Sequence, residues 1–323
     1  MNGKVKLKKG IDFEAVYKNN TDVTSADSKA VVTITGMGNY DGVVTAEFNI
    51  TPKPIAKTAI TNPDNASYTG LAIVPEDVKV TDGAKQLTKD SDYTFEVTNN
   101  INAGTAAVTV TGKGNYGGTA NVVFTILPKA LTGVTVEKIA DQIYTGTEMK
   151  PELSVLDGTN PLTADVDYTL NFAANTAAGK ANVVISGIGN YTGAMNTVFT
   201  ILPKDLEDST IDKIPAQIYS GYGIEPAISM MDGEKTLVQG EDFTAVYKDN
   251  TAVGKAVVSI TGKGNYAGSK DTEFQITRRG IDTVSIQVFN AMPYTGEEII
   301  PMVTVKNQNL LLTEGSDYKL EYQ

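Results

Sequence analysis

The chain has 323 residues, 41% hydrophobic and 20% charged, and a net charge of −11, so it can form packed cores and is not broadly disordered. It contains no Cys and no His, which excludes disulfides, thiolate metal sites, cysteine nucleophiles and every Ser-His-Asp arrangement. The acidic balance argues against nucleic acid as a partner, because binding a polyanion needs basic stripes that release counterions.

In chain order, the first feature is the longest basic cluster, Lys4-Val5-Lys6-Leu7-Lys8-Lys9. It reads as a solvated turn and strand edge, where charge blunts pairing with other chains. Residues 1–25 lack the apolar core of a signal peptide, and no stretch approaches 18 apolar residues. Direct membrane insertion is therefore not expected.

Two markers then recur at one period, the signature of an internal repeat. Gly-Asn-Tyr stands at 38–40, 114–116, 189–191 and 264–266, a spacing of 76, 75 and 75. Tyr-Thr-Gly at 68–70, 144–146 and 294–296, with Tyr219-Ser220-Gly221 between them, keeps the same spacing. Asp-Gly follows at 82–83, 157–158 and 232–233. The expected organisation is a partial repeat at 1–53, complete repeats at 54–129, 130–204 and 205–279, and a partial repeat at 280–323.

Within a unit the elements are an opening strand, Tyr-Thr-Gly, a short β-rich run after Pro, Asp-Gly and an Asp-aromatic strand. An Asn-rich turn follows, then an Ala/Val/Ile strand, Gly-Asn-Tyr, and a closing strand ending Phe-x-Ile. Ala181, Val183 and Ile185 alternate with Asn182, Val184 and Ser186, the period of two of a half-buried strand. Asp-Gly between β runs is a hairpin signal, since Gly tolerates the positive φ of a primed turn. No helical periodicity competes. The expected fold class is all-β: a tandem array of small antiparallel β-sandwich repeats of about 75 residues, with a β-grasp-like repeat as the alternative.

The linkers Ile50-Thr51-Pro52-Lys53, Ile126-Leu127-Pro128-Lys129, Ile201-Leu202-Pro203-Lys204 and Ile276-Thr277-Arg278-Arg279 are short. A Pro directly after a strand restricts its own φ and the residue before it. Stiffly joined beads are expected, each roughly 25–35 Å long, in a rod on the order of 100 Å.

Gly262-Lys263-Gly264-Asn265-Tyr266 is not read as a phosphate cradle, because a strand follows it rather than a helix and no paired Lys-Ser/Thr is present. It reads as scaffolding. Two glycines take backbone conformations closed to other residues, Asn bonds its own turn, and Tyr folds back to cap the core with its hydroxyl satisfied. A comparable tyrosine corner is used in immunoglobulin-like sandwiches. Of 15 Tyr, 14 fall on repeat positions, and Tyr222 is left over. The structural motif residues are therefore Tyr40, Tyr116, Tyr191 and Tyr266, with Tyr68, Tyr144, Tyr219 and Tyr294. Burial for packing explains such periodicity more simply than recognition does.

Asp12, Asp92, Asp167, Asp242 and Asp317 each precede an aromatic. They read as turn caps; calcium at the junctions would need several such oxygens converging. A Lys–Asn/Asp crosslink through Lys29, Lys180 or Lys255 would not be general, since Thr105 takes that place in the second unit. No catalytic residue, metal or cofactor is implied.

The stretch "YTGTEMKPELSVLDG…LTADVDYTLNF…GKANVVISGIGNYTGAMNTVFTI" resembles tandem immunoglobulin-like or MBG-type (β-grasp-related) repeats of large Gram-positive, especially clostridial, cell-surface and adhesin proteins. The resemblance implies an extracellular, cell-wall location and a stalk or adhesive role, and assigns no catalytic residue. Asn307-Gln308 replaces Asp-Gly in the final unit, and Asn20–Lys29 is a longer turn than its counterparts. The expected function is a non-enzymatic stalk presenting an adhesive or catalytic head, with a glycan- or host-protein-binding module as the alternative. Because the chain opens and closes in mid-unit, a head-to-tail fibre or virion-decoration protein, self-associating through its terminal half-repeats, is the second alternative.

Overall fold

The computed structural model describes residues 6–289 and 291–322; the start of the basic cluster lies outside them. The chain divides into two compact units. One comprises Met1–Thr135, Val155–Leu170 and Ile185–Met195; the other comprises Val136–Ser154, Asn171–Val184 and Asn196–Gln323. Elements of residues 130–204 are thus distributed over both.

The first unit opens with an antiparallel sheet of β1 (Phe13–Lys18), β2 (Ala30–Gly36) and β3 (Val43–Phe48), in that order. Residues 53–127 then supply β4 (Lys53–Pro54), β5 (Ala59–Ile60), β6 (Ala66–Ser67), β7 (Val80–Asp82), β8 (Lys85–Gln86), β9 (Tyr93–Thr98), β10 (Gly104–Gly112), β11 (Tyr116–Gly117) and β12 (Thr119–Leu127). One sheet has the order β6-β12-β10-β9, a second β5-β7-β8, and β4 pairs with β11. The long strands pair antiparallel, while two-residue β6 and β4 add parallel edges. Ile55, Val80 and Leu87 from one side meet Val108, Val110, Phe124 and Ile126 from the other in a single apolar cluster. This is a small β-sandwich.

The alternation read from the sequence sets the core. Ala106, Val108 and Val110 are fully buried. Ala106 lies opposite Phe124 in the register of β10 with β12, so the smallest side chain of one strand accommodates the largest of its neighbour. Ala256 opposite Phe274 repeats this pairing in the second unit. Asp82 pairs with Lys85 around a two-residue turn whose Gly83 has φ +61°, the positive dihedral that a primed hairpin requires.

Elements of the same kind recur in the same order along 130–204. In the second unit, Gln217–Ile218, Ser269–Thr277, Gly254–Gly262 and Phe243–Lys248 form a four-stranded sheet in that order. Thr210–Ile211, Met230–Asp232 and Lys235–Thr236 form the three-stranded one. The last sheet, Ser285–Val288, Val303–Asn307 and Leu310–Leu311, is antiparallel. The protein is all-β, and its sandwich-like sheets are repeated.

Candidate functional site

The repeated markers converge three times along the chain. Lys53 Nζ pairs with Asp82 Oδ1 at 2.5 Å, and Tyr116 Oη donates to Asp82 Oδ2 at 3.2 Å. Lys129 reaches both oxygens of Asp157 at 2.7 Å, and Tyr191 donates to Asp157 at 3.1 Å. Lys204 pairs with Asp232 at 2.5 Å, and Tyr266 donates to it at 3.1 Å. The linker lysine, the hairpin aspartate and the Gly-Asn-Tyr tyrosine therefore form one network, copied three times. Spacing kept these markers in phase; their meeting in space was not legible from it.

The environment of the network sets its charges. Lys53, helped by the Tyr116 hydroxyl, holds the Asp82 carboxyl below the ordinary carboxylate range. Burial works to raise Asp232, but Lys204 and the Tyr266 hydroxyl outweigh it and the net shift is downward. Burial, then the bond to Asp157, raises the Tyr191 phenol. Burial is also the main cause that lifts Tyr266 to about 12. The ammonium, the carboxylate and the neutral phenol satisfy one another.

The Asn of the loop does not bond its own turn, as expected from sequence; it reaches the preceding repeat. Asn115 Oδ1 accepts the Val23 amide at 2.7 Å, Asn190 Oδ1 that of Ala103 at 2.8 Å, and Asn265 Oδ1 that of Ala178 at 2.8 Å. Its backbone carbonyl is also engaged: Lys53, Lys129 and Lys204 donate their amides to the carbonyls of Asn115, Asn190 and Asn265. The physical reason is that β11-type residues pair in parallel with the linker, which turns the Asn side chain outward to the neighbouring turn.

That neighbouring turn is itself anchored. Asn100, Asn175 and Asn250 donate from Nδ2 to the carbonyls of Ile73, Met149 and Ile224. The glycines of the loop also differ from each other. Gly264 has φ +65°, whereas a Cβ on Gly262 would meet the Ala267 amide at 2.6 Å. The second glycine supplies backbone freedom and the first supplies space.

Tyrosine rings complete the junctions. Tyr68 meets Tyr191 edge-on at a centroid distance of 5.7 Å, and Tyr144 meets Tyr266 at 5.6 Å. Lys235 lies 5.4 Å from the Tyr144 centroid and 4.9 Å from that of Tyr266, within cation–π range. Burial works to lower the Lys235 ammonium, yet the two tyrosine hydroxyls carry it upward on balance.

Tyr116, Tyr144, Tyr191 and Tyr266 are buried, and Tyr40, Tyr68 and Tyr219 half-buried. Tyr294 corrects the expectation of burial: it is 92% exposed. Tyr68 and Tyr144 are covered edge-on by Tyr191 and Tyr266, 123 and 122 residues later.

The aspartates before aromatics act as turn caps. Asp12, Asp92, Asp167, Asp242 and Asp317 each accept, through Oδ2, the amide four residues earlier. Among the described residues no three acidic side chains gather as metal ligands. Lys29 and Lys255 form ion pairs with Glu47 and Glu273 at exposed positions. Tyr222 is exposed.

Fold and junctions together define a class: tandem all-β repeats braced to one another by a recurring loop. No protein-family profile and no curated protein sequence matches the chain. Among solved structures it is similar to the protocadherin GammaB4 extracellular domain, at TM-score 0.21 and 11% identity over 90% of this chain and 63% of that one. The chain thus spans less than two thirds of that protocadherin. It is similar also to Sidekick-1 immunoglobulin domains 1–5, at TM-score 0.24 and 8% identity over 82% and 74%. A third is FdeC, an Escherichia coli adhesin, at TM-score 0.24 and 12% identity over 83% and 98%. At these scores the likenesses establish neither family nor function, and the fold rests on the strand order above.

Proposed function

We propose that this chain is a non-catalytic spacer segment of an extracellular, bacterial cell-surface protein, holding an adhesive or catalytic head away from the cell. The observation that supports it is the junction Asn, which ties its own loop, the linker and the preceding repeat at three successive boundaries. Such bracing resists bending between repeats, a property a spacer needs and an isolated binding module does not. Neighbouring repeats are then the principal partners, and a glycan or protein ligand is met by the head.

Small-angle scattering tests this. Deleting residues 130–204 keeps the repeat in phase, and the maximum dimension in solution should fall by roughly 25–35 Å, one strand-built repeat. An unchanged dimension, or avid glycan binding by the 323-residue chain itself, would speak for a binding module.

A further inference from the structure

The hairpin after each Asp-Gly carries one residue toward the Gly-Asn-Tyr tyrosine, and its three copies differ there. Lys85, Asn160 and Lys235 hold the same register position, paired across the turn with Asp82, Asp157 and Asp232. In the second unit, Lys235 Nζ donates to Tyr144 Oη, Asp242 Oδ1 and Tyr266 Oη, each at 3.4 Å. The ammonium also lies within cation–π range of both rings. Lys85 makes the same kind of approach, 5.6 Å from the Tyr116 centroid and 4.0 Å from Asp92 Oδ1.

In the first unit, the junction of Tyr68 with Tyr191 is built alike but has no lysine. The two rings meet edge-on, as Tyr144 and Tyr266 do. Asp167 Oδ2 accepts the Thr163 amide, just as Asp242 Oδ2 accepts that of Val238. The Oδ1 that receives Lys235 at Asp242 has no partner at Asp167 among the described residues. Asn160 is exposed and uncharged, and a cleft of about 500 Å³ opens between Tyr68, Tyr191, Asp157 and Asp167. Exposure records the difference. Tyr144 and Asp242 are each 7% exposed where Lys235 is present, while Tyr68 and Asp167 are only half-buried. Asp157 is already matched by Lys129, so the charge left over in the cleft is that of Asp167. Asp157, Tyr68 and Asp167 all push the Tyr191 phenol upward, whereas at Tyr266 Lys235 counters such a push.

We propose that this cleft binds a primary alkylammonium group, which takes the place that Lys235 fills in the second unit. The ammonium donates to Asp167 Oδ1 and the two phenol oxygens, and its charge faces the rings of Tyr68 and Tyr191. The alkyl chain leaves along Leu71 and Pro161, which line the same cleft. Leu71 stands where the other junction has Thr147, giving the chain an apolar wall. A compact cation with three donors fits this set better than a planar guanidinium or a quaternary ammonium without N–H. Such a group ends a lysine side chain of another protein, or a free diamine. The inference goes beyond the spacer reading and does not depend on it.

Amide NMR of the full chain, titrated at constant ionic strength and neutral pH, tests it. The probes are 1,5-diaminopentane and Nα-acetyl-lysine amide. Each should give saturable shifts confined to residues 68–71, 157–167 and 191, and tetramethylammonium should bind more weakly. Tighter binding of the lysine derivative points to a partner's lysine, and tighter binding of the diamine to a free amine; either result sustains the proposal. Asn160→Lys, at an exposed position, supplies the ammonium from within the chain and should abolish the shifts. Asp167→Asn keeps an acceptor for Thr163 but removes the charge, and should weaken binding about tenfold, as for one charge-assisted hydrogen bond. Lys235→Asn should open a second site, with shifts at 144–147 and 242. No saturable shift with either probe overturns the proposal. So do equal shifts from sodium chloride alone, or shifts that persist in Asn160→Lys.

Discussion

Asn190 accepts the Ala103 amide across a repeat boundary at 2.8 Å, from a turn 87 residues earlier in the chain. Asn265 and Ala178 reproduce the same separation and the same distance. Because Asn100 and Asn175 fasten those turns to Ile73 and Met149, the bond does not end on a loose loop. It passes from one repeat's loop, through the preceding turn, into the edge of that repeat. The Gly-Asn-Tyr loop is scaffolding at the level of the array as well as of the single unit.

Replacing Asn190 tests that bond directly. Asn190→Ala leaves the part-buried Ala103 amide without its acceptor, at a cost of about 1–3 kcal/mol. Hydrogen exchange at Ala103 should accelerate, while amides within β10 keep their protection. Asn190→Asp retains an acceptor oxygen and should restore most of the protection. Unaltered exchange at Ala103 in the alanine variant would show that the bond carries no stability.

The Lys–Asp–Tyr network makes stability depend on pH at both ends. Asp82 and Asp232 are lowered on folding; their contribution is complete above the ordinary value of 3.8 and is lost as pH falls through the folded value. Tyr266 is raised from 10.0 to about 12, so its contribution is present below pH 10 and is lost as pH rises toward 12. Phenolate absorbance should show a component with its midpoint near 12 that Tyr266→Phe removes. Denaturant unfolding of Tyr266→Phe should also lose part of the wild-type decline in stability between pH 10 and 12.

Gly187 is held by space rather than by dihedral. An added Cβ would meet the Thr192 amide at 2.7 Å and the Tyr191 carbonyl carbon at 2.8 Å. Backbone cannot swing aside as a flexible side chain can, so Gly187→Ala should cost about 1–3 kcal/mol as an overpacking change. Gly133→Ala is the control, since its Cβ would meet nothing within 4 Å and its φ is not positive. A thermal melt of Gly187→Ala that overlays the control would remove the steric account.

The strand pattern was legible because period-two alternation is a local signal. Ala106-x-Val108-x-Val110 and Phe124-x-Ile126 announce their buried face without reference to anything distant. Asp-Gly announced its hairpin for the same reason, since one dihedral at Gly83 decides it. The partners of Lys53, Asp82 and Tyr116 were not legible. Each marker has its own local role, and only the three-dimensional path of the linker along β11 brings them together. The direction of the Asn side chain failed for a related reason: Asx residues do cap their own turns, but here the backbone pairing with the linker points the amide outward. The exposure of Tyr294 was not legible either, since the same Tyr-Thr-Gly marker is half-buried at Tyr68 and buried at Tyr144.

One repeat position gives the sharpest contrast in core energetics. Leu206 is fully buried at the first turn after its linker, and Ile281 sits at the same position one repeat later with half its surface in water. Leu206→Ala should cost about 2–5 kcal/mol, through lost transfer energy and the cavity left behind. Ile281→Ala removes a side chain that has gained little from burial, so under dilute conditions its cost should stay below about 1 kcal/mol, within the range of surface changes. Chemical denaturation of both variants, with unchanged m-values, checks the pair. Equal losses at the two sites would mean that Ile281 is packed in solution as Leu206 is, and that its face is already covered.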